Sequence, residues 1–184
     1  MIKAIIFDYF GVITSDNFWQ FTGEAINANG SFHKLIAKVN TGAESWGDFI
    51  NDVARETHQT PQAVMVMYKN ERIDLELLGY IKQLRRQYKT ALLTNSSYEY
   101  LEPIIANMKL DSFFDEIVIS SRLGMIKPDP DLFNYTLNRL KVNSYEAIFI
   151  DDRLSNVTAA RQLGIESILY SSLTQLRSEL ANLA

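Results

Sequence analysis

Residues 2–14 read IKAIIFDYFGVIT and carry the strongest structural signal in the chain. The run from Ile2 to Phe7 is β-branched and aromatic, has the length of a strand, and shows little alternation of polar and apolar residues. This pattern is typical of a parallel strand that is buried on both faces. Because the run ends in Asp8, the sequence predicts a buried strand with a carboxylate at its carboxyl end.

Further apolar runs repeat this pattern and alternate with segments of helical spacing. The runs lie at 90–94 (TALLT), 116–120 (EIVIS), 147–150 (AIFI) and 165–170 (IESILY). Helices are predicted at 74–88, 98–108, 131–140, 155–163 and 173–183, with Gly164 at a helix C-cap. The alternation predicts βαβ units and a parallel sheet. We therefore expect an α/β fold, Rossmann-like and doubly wound.

Residues 15–73 interrupt this alternation, since they have helix-like patterns and contain no convincing strand. Thr60-Pro61 is typical of a helix N-terminus, and Gly30 and Gly42 suit joints between short helices. We interpret the segment as a helical cap inserted after the first strand, with the core formed by 1–14 and 74–184. The aromatic residues of the cap are expected to form its small core and in part to line the pocket: Phe18, Trp19, Phe21, Trp46 and Phe49.

The composition restricts the functional classes. The chain has 184 residues, a net charge of −4, no cysteine and two histidines. The charge disfavours nucleic acid or an anionic membrane as partner, and the absence of cysteine excludes thiol catalysis and thiolate metal sites. The first residues lack the features of a signal peptide, and no run of ~18 apolar residues occurs. We expect a soluble, cytoplasmic protein.

Polar residues follow several of the predicted strands. Asp8 ends the first strand, Thr94-Asn95 end the second, and Asp151-Asp152 end the fourth, while Lys127 precedes that fourth strand. Ligands of open α/β sheets gather at the carboxyl ends of the strands. A carboxylate can attack phosphorus, several carboxylates can hold Mg²⁺, and a hydroxyl, an amide and an ammonium can stabilise the transferred charge. The set therefore predicts phosphoryl transfer.

Four motifs together resemble those of the haloacid dehalogenase-like hydrolase superfamily. They are FDYFGVIT, LLTNSS, KPDP and IFIDDRLSN, in the family's order and across nearly the whole chain. The cap resembles the family's small helical cap of the first type, close to the phosphatases and the amino-terminal domains of epoxide hydrolases. The resemblance implies that the first and fourth strands are neighbours, so that Asp8 lies close to Asp151 and Asp152.

The resemblance also implies a role for each motif residue. Asp8 would be the nucleophile, and Thr94 and Lys127 would bind the transferred group, with Lys127 also neutralising Asp8. Asn95 would lie close to the phosphate, and we expect Tyr9 beside it or under the cap.

The same resemblance implies a Mg²⁺ site. Asp8, Asp152 and Asp151 behind it would hold the ion, together with the backbone carbonyl of Phe10. The expected substrate is a small phosphorylated metabolite.

One residue departs from the family pattern. Phosphatases of the family usually carry a second aspartate two residues after the nucleophile as the acid and base, and this chain has Phe10 there. One interpretation is a slow phosphatase that borrows an acid such as Asp16 or His33. A second is a metal-free 2-haloacid dehalogenase, in which halide leaves without a proton. A third is a non-catalytic binding protein. The paired carboxylates rank the phosphatase above the dehalogenase.

Ordinary structural roles compete with these assignments. Asp152 could cap the following helix while Asp151 is solvated, and His33 and His58 could be ordinary polar helix residues. We expect solvated or helix-end roles for the two arginines that flank the motifs, Arg122 and Arg153.

Overall fold

The computed structural model of the chain describes residues 1–15, 31–69 and 71–183. Asp16, Phe18, Trp19, Phe21 and Gly30, which the sequence assigned to the cap, lie outside these residues. None of the helices in the described part has the length and apolar character needed to cross a membrane.

Five parallel strands form the sheet, in the order β3-β2-β1-β4-β5. Their bounds are β1 Ala4–Phe7, β2 Lys89–Thr94, β3 Glu116–Ile119, β4 Ala147–Asp151 and β5 Glu166–Leu169. β1 lies at the centre between β2 and β4, and its four residues are buried. The predicted parallel sheet is confirmed, and so is the predicted neighbourhood of the first and fourth strands.

Helices cover both faces of the sheet, which makes the fold doubly wound. They are α4 Leu75–Leu84, α5 Tyr98–Met108, α6 Pro130–Leu140, α7 Leu154–Gln162 and α8 Leu173–Leu183. Ile5 and Phe7 of β1 pack with residues of α4, α5 and α8, whereas Ala4 and Ile6 pack with residues of α6 and α7. The absence of polar alternation in β1 is thus explained, because both sets of its side chains enter an apolar core.

The described part of the interval before α4 is helical and has a core of its own. It contains α1 Ser31–Thr41, α2 Trp46–Glu56 and α3 Pro61–Lys69. Their buried side chains form one cluster that includes Phe32, Phe49 and Tyr68. Gly42 follows α1 with a φ of +74°, and the Thr60 hydroxyl accepts the amide of Ala63 at the start of α3. Gly42 therefore lies at a joint between helices and Thr60 at a helix N-terminus, as the sequence predicted.

The chain leaves and re-enters the sheet domain along two adjacent segments. Thr14 pairs antiparallel with Ile73, and the Asp74 amide donates to the Ile13 carbonyl at 2.8 Å. The Ser15 amide donates to the carbonyl of Arg72 at 3.0 Å. These contacts lie where the sequence places the limits of the cap, although the limits 15 and 73 themselves stay a prediction.

Several predicted bounds are wrong by one to four residues. Ile2 precedes β1, and the helix predicted at 74–88 ends at Leu84, followed by turns. Leu75, in the first turn of that helix, is 67% exposed, whereas Leu77 is buried. Tertiary packing decides which of these two leucines in the first turn of the helix is buried. Gly164 has a φ of +78° after α7 and confirms the predicted C-cap.

Candidate active site

The carboxyl ends of β1 and β4 bring three carboxylates together. Phe7 is in register with Ile150, and the Asp8 amide donates to the Ile150 carbonyl at 2.9 Å. Asp8 therefore follows β1 at the level where Asp151 ends β4. Asp8, Asp151 and Asp152 each offer one oxygen within 4.8 Å of the others. The proximity predicted from the strand order is thus present.

Lys127 lies between two of these carboxylates. Its Nζ is 2.7 Å from Asp8 Oδ1 and 2.7 Å from Asp151 Oδ2, and its side chain is buried. Asn95 holds the backbone of Lys127 from both sides. The Lys127 amide donates to Asn95 Oδ1 at 2.8 Å, and Asn95 Nδ2 donates to the Lys127 carbonyl at 2.9 Å. Asn95 lines the cavity, but these two bonds engage its amide group with Lys127.

Asp151 is completely buried and its two oxygens have several donors. Oδ1 accepts the Arg153 amide at 2.8 Å and Asn156 Nδ2 at 3.1 Å. Oδ2 accepts Lys127 Nζ at 2.7 Å and Asn156 Nδ2 at 3.0 Å. The interpretation of Asp151 as a solvated residue is wrong, and Arg153 rather than Asp152 is the N-cap of α7.

Asn156 is a site residue to which the sequence analysis gave no role. It lies in the first turn of α7 and is 4% exposed. The signal that points to it is its place in IFIDDRLSN, five residues after Asp151. At that distance a residue on the first helical turn can reach back to the strand end.

Burial and mutual repulsion shift the pKa values of the cluster. Burial, and then the charge of Asp151, raise the pKa of Asp8 well above its usual value against the opposing effect of Lys127. Burial alone would lower the pKa of Lys127, but Asp8 and Asp151 outweigh it and raise that pKa. Burial and Asp151 also raise the pKa of Asp152. One lysine therefore does not neutralise the cluster, which favours a further cation.

The surroundings of Asp152 fit such a cation. Its Oδ1 is buried and has no hydrogen-bond partner among the described residues, whereas buried polar atoms normally have one. Gly11, with a φ of +75°, packs against this carboxylate, and an added Cβ would lie 2.5 Å from its Cγ. Carboxylate oxygens are the ligands that Mg²⁺ prefers. Asp8 and Asp152, with Asp151 close by, therefore form a donor set suited to Mg²⁺.

Thr94 ends β2 and also has an unpartnered polar atom. It is completely buried, and its Oγ1 has no hydrogen-bond partner within the described ranges. A buried hydroxyl without a partner costs about 1–3 kcal/mol, so the position suits a group that a ligand satisfies. Thr94 is not among the described residues that line the cavity.

Tyr9 and Phe10 take opposite positions. Phe10 lines the cavity, whereas Tyr9 is completely buried in the core and does not line it. The two rings meet edge to face, with centroids 5.0 Å apart. In this structure the Tyr9 side chain packs in the core cluster away from the described cavity lining, and its contact with substrate stays a prediction.

The cluster opens into a cavity of about 230 Å³ between the sheet and the cap. Asp8 and Lys127 line it on one side, and residues of α1 to α3 line it on the other. The cap contributes His33, Trp46 and Phe49. Cap aromatics thus line the pocket as expected, and His33 is more than an ordinary helix residue. The other described residues that line the cavity are Phe10, Ile36, Ala37, Val39, Asn40, Tyr68, Asn95, Ser96, Ser97, Tyr100, Ile126, Arg153 and Asn156.

Polar contacts attach the cap beside the cavity. Ser120 Oγ donates to the Asn40 carbonyl at 2.6 Å and also accepts the Ser96 amide at 3.0 Å. Glu99 Oε2 accepts the Trp46 amide at 2.9 Å. These bonds join α1 to the turn after β3 and α2 to the first turn of α5, so the segments that follow β2 and β3 contact both the cap and the site.

The two flanking arginines differ in environment. The Arg122 guanidinium lies 3.7 Å from the ring centroid of Tyr98 and 3.5 Å from Glu102, on the surface. Arg153 is exposed but lines the cavity. A surface role is therefore correct for Arg122, and Arg153 is close enough to the site to meet an anionic ligand.

Comparison with known proteins places the chain in one family. The family model described as haloacid dehalogenase-like hydrolase matches residues 2–164. A D-ribitol-5-phosphate phosphatase from Bacteroides thetaiotaomicron is 29% identical over 98% of this chain and 97% of the relative. An (S)-2-haloacid dehalogenase from Burkholderia cepacia is 26% identical over 83% of this chain and 58% of the relative. A drimenol cyclase from Aspergillus calidoustus is 24% identical over the whole chain, which spans 37% of that protein.

Solved structures show the same fold. A HAD-like hydrolase from Porphyromonas gingivalis has a TM-score of 0.78 at 25% identity and covers 98% of both chains. A HAD-family enzyme from Bacteroides thetaiotaomicron, in complex with magnesium and inorganic phosphate, has a TM-score of 0.78 at 18% identity. It covers 96% of this chain and 99% of its own. On the family match, the shared fold and the four sequence motifs, the chain belongs to the haloacid dehalogenase-like hydrolases.

Proposed function

We propose that the chain is a Mg²⁺-dependent phosphatase that acts on a small phosphomonoester through an aspartyl-phosphate at Asp8. One observation carries the proposal: three carboxylates meet at one point with a single buried lysine, and Asp152 keeps an unpartnered buried oxygen. Such a cluster needs a further cation and suits a phosphate, whose oxygens can share that cation. The similarity to the D-ribitol-5-phosphate phosphatase supports the same reaction class.

Asp8, Lys127 and Thr94 have different roles in the proposed reaction. Asp8 attacks phosphorus and displaces the alcohol, which leaves a phosphoryl group on its carboxylate. Lys127, held by Asn95 and Asp151, supplies positive charge beside Asp8. The Thr94 hydroxyl, which has no other described partner, donates to an oxygen of the transferred group. Such preorganised donors are worth most in a site that excludes water.

Mg²⁺ would be held by Asp8 and Asp152, with the Phe10 carbonyl as a further ligand. When bound, it would offset the negative charge shared by the carboxylates and the phosphoryl oxygens. The hydrogen bonds of Asp151 favour a supporting place for it, since both of its oxygens already accept from Lys127, Asn156 or the Arg153 amide. We propose that residues 15–73 form the cap and that the cap covers the cavity above this site.

The size of the cavity supports a small substrate. At about 230 Å³ it is below the ~300–1,000 Å³ of typical ligand pockets. A phosphate and a leaving group of one ring or a short chain would occupy it. We therefore propose a phosphorylated metabolite rather than a macromolecule as substrate.

Phosphate release from phenyl phosphate tests the proposal. We expect the purified protein to release phosphate with Mg²⁺ and to stop when the metal is chelated. Asp8→Asn should reduce release to the rate of the uncatalysed reaction, since the amide cannot act as the nucleophile. Asp111→Asn, at an exposed aspartate outside the site, is the matched control and should keep wild-type activity. Equal activity of wild type and Asp8→Asn would refute the proposal.

A second candidate function follows from Phe10. Halide leaves carbon without a proton, so an aromatic residue at this position does not impede dehalogenation, and a haloacid dehalogenase is among the relatives. The Asp152 environment speaks against it, because a metal-free reaction leaves that buried oxygen without a partner. Release of chloride from 2-chloropropionate in the presence of chelator, lost in Asp8→Asn, would favour this second function.

A further inference from the structure

Five aromatic rings form one wall of the cavity, which we call the aromatic wall: Phe10, Trp46, Phe49, Tyr68 and Tyr100. Phe10 and Tyr100 belong to the sheet domain and are nearly parallel, at 18° and 6.3 Å between centroids. Trp46 joins them to the cap, with centroids 4.7 Å from Tyr100 and 4.6 Å from Tyr68. The wall therefore crosses the boundary between cap and sheet and begins two residues after Asp8.

The described lining of this cavity contains few groups that can donate a proton to a leaving group. Lys127 is bound by two carboxylates, and Tyr100 keeps its proton because burial and Glu71 raise its pKa. His33 lines the cavity from α1, but its side chain is exposed to solvent. Phe10, the wall residue nearest to Asp8 in sequence, cannot carry a proton. General acid catalysis typically contributes ~10²–10⁴-fold, about 3–5 kcal/mol of barrier.

We propose that the site is selective for phosphate esters of one aromatic or enolic ring, whose leaving group departs as a stabilised anion. This inference rests on the proposed function. A phenol has a pKa of ~10, whereas an aliphatic alcohol is a far weaker acid, with a pKa close to that of water. A phenolate can therefore leave without the proton that Phe10 cannot supply. The aromatic wall binds a flat ring, and the small cavity limits the ligand to one.

The reaction balances without a proton donor in the protein. The Asp8 carboxylate forms a bond to phosphorus while the bond from phosphorus to the ester oxygen breaks. The electron pair leaves on that oxygen, and the phenolate or enolate takes its proton from water after release. Hydrolysis of the aspartyl-phosphate then returns Asp8 and phosphate.

A matched series of esters tests this selectivity. Phenyl phosphate and benzyl phosphate both carry one ring, but only the first has an acidic leaving group. We expect kcat/KM, which reports the steps up to release of the alcohol, to be ~10²–10⁴-fold higher for phenyl phosphate, the range that a general acid would otherwise supply. Cyclohexyl phosphate, which has no aromatic ring, should bind more weakly than benzyl phosphate. Values of kcat/KM within tenfold for the phenyl and benzyl esters would overturn the inference.

Substitution of Phe10 gives an independent test. Phe10→Asp places a carboxylic acid two residues after Asp8, and Phe10→Asn is its control of the same size without an acidic proton. We expect the phenyl to benzyl ratio of kcat/KM to fall at least tenfold in Phe10→Asp and to stay high in Phe10→Asn. The same ratio in Phe10→Asp as in the wild type would contradict the assignment of position 10 as the missing donor.

His33 is one alternative donor among the described lining residues of the cavity. If His33 supplies the proton, the His33→Gln variant should lose activity on benzyl phosphate but not on phenyl phosphate. The phenyl to benzyl ratio of kcat/KM would then rise, and this result would overturn the inference. We expect the ratio to stay unchanged instead.

The two proposals can fail separately. If no ester gives Asp8-dependent phosphate release, the proposed phosphatase function is contradicted. Equal release from the phenyl and benzyl esters contradicts only the selectivity.

Discussion

Lys127 is a buried cation between two buried carboxylates, and its removal should be costly. Its Nζ is 2.7 Å from both Asp8 and Asp151, and a third carboxylate lies nearby. A surface ion pair is worth ~0–1 kcal/mol, whereas loss of one partner of a buried pair costs about 3–5 kcal/mol. The difference arises because the remaining charges stay buried without a counter-ion.

Lys127→Met should therefore lower the free energy of unfolding by about 3–5 kcal/mol in the absence of metal. For a chain of this length Tm should fall by ~6–20 °C, measured by calorimetry in chelator. Added Mg²⁺ should recover part of the loss, since it supplies another positive charge to the same carboxylates. Lys34→Met, at an exposed lysine, is the control and should change Tm little. Equal Tm values for the two variants would show that Lys127 does not neutralise the cluster.

Individual residues differ in how far sequence alone could predict them. Asp8 and Asp151 were predictable because they end strand-like runs and because strand ends converge in a parallel sheet, whereas the role of Lys127 was predicted through the resemblance of KPDP to a family motif. The burial of Tyr9 was not, since the backbone turn after β1 decides which of two adjacent aromatic side chains faces the cavity. The hydrogen bonds that saturate Asp151 depend on Asn156, and helical spacing alone gives no indication of that partner.

The loop after β1 forms one side of the candidate metal site and depends on Gly11. A φ of +75° costs a residue with a side chain roughly 1–2 kcal/mol. In addition, a Cβ at this position would displace the Asp152 carboxylate. The loop therefore combines backbone strain and a steric requirement at a single residue.

We expect Gly11→Ala to weaken Mg²⁺ binding at least tenfold and to destabilise the fold by about 1–2 kcal/mol. Gly79→Ala is the matched control, because Gly79 lies within α4 and a Cβ there meets no atom within 4 Å. That change should stabilise the helix by ~0.5–1 kcal/mol and leave metal binding unaltered. Isothermal titration with Mg²⁺ and chemical denaturation separate the two effects. Wild-type Mg²⁺ affinity in Gly11→Ala would argue against a metal site at Asp152.

The helices and strands were predictable in type and order, and less so at their ends. Buried runs such as those of β2 and β4 have a strong signal because both faces of a central strand are apolar. The end of α4 at Leu84 had no such signal, since the turns of 85–88 carry helix-compatible residues. Tertiary contacts, which a local pattern does not contain, set these bounds.

The molecule as a whole divides its chemistry between two parts of the chain. The sheet domain supplies Asp8, Lys127 and Asp152, and the cap supplies most of the aromatic wall. Charge placement follows from the strand order, which was predicted through the resemblance of the four motifs to those of a known family. The shape of the cavity depends on how α1 to α3 pack over the loops, and such long-range contacts have no signature in sequence spacing.

The absence of a proton-carrying side chain at Phe10 also has a consequence for the whole reaction cycle. The group that would protonate the alcohol would also activate the water that clears the phosphoryl group from Asp8. In the proposed mechanism, an acidic leaving group makes the first step fast, and the second step stays slow. We therefore expect the phosphorylated enzyme to accumulate during turnover of phenyl phosphate.

Intact-mass spectrometry of the protein, quenched in acid during turnover of phenyl phosphate with Mg²⁺, tests the role of Asp8 most directly. We predict that a large fraction of the wild-type protein carries one phosphoryl group, that peptide analysis locates it at Asp8, and that Asp8→Asn carries none. A phosphoryl group at another residue, or turnover by Asp8→Asn at the wild-type rate, would contradict the assignment of Asp8 as the nucleophile.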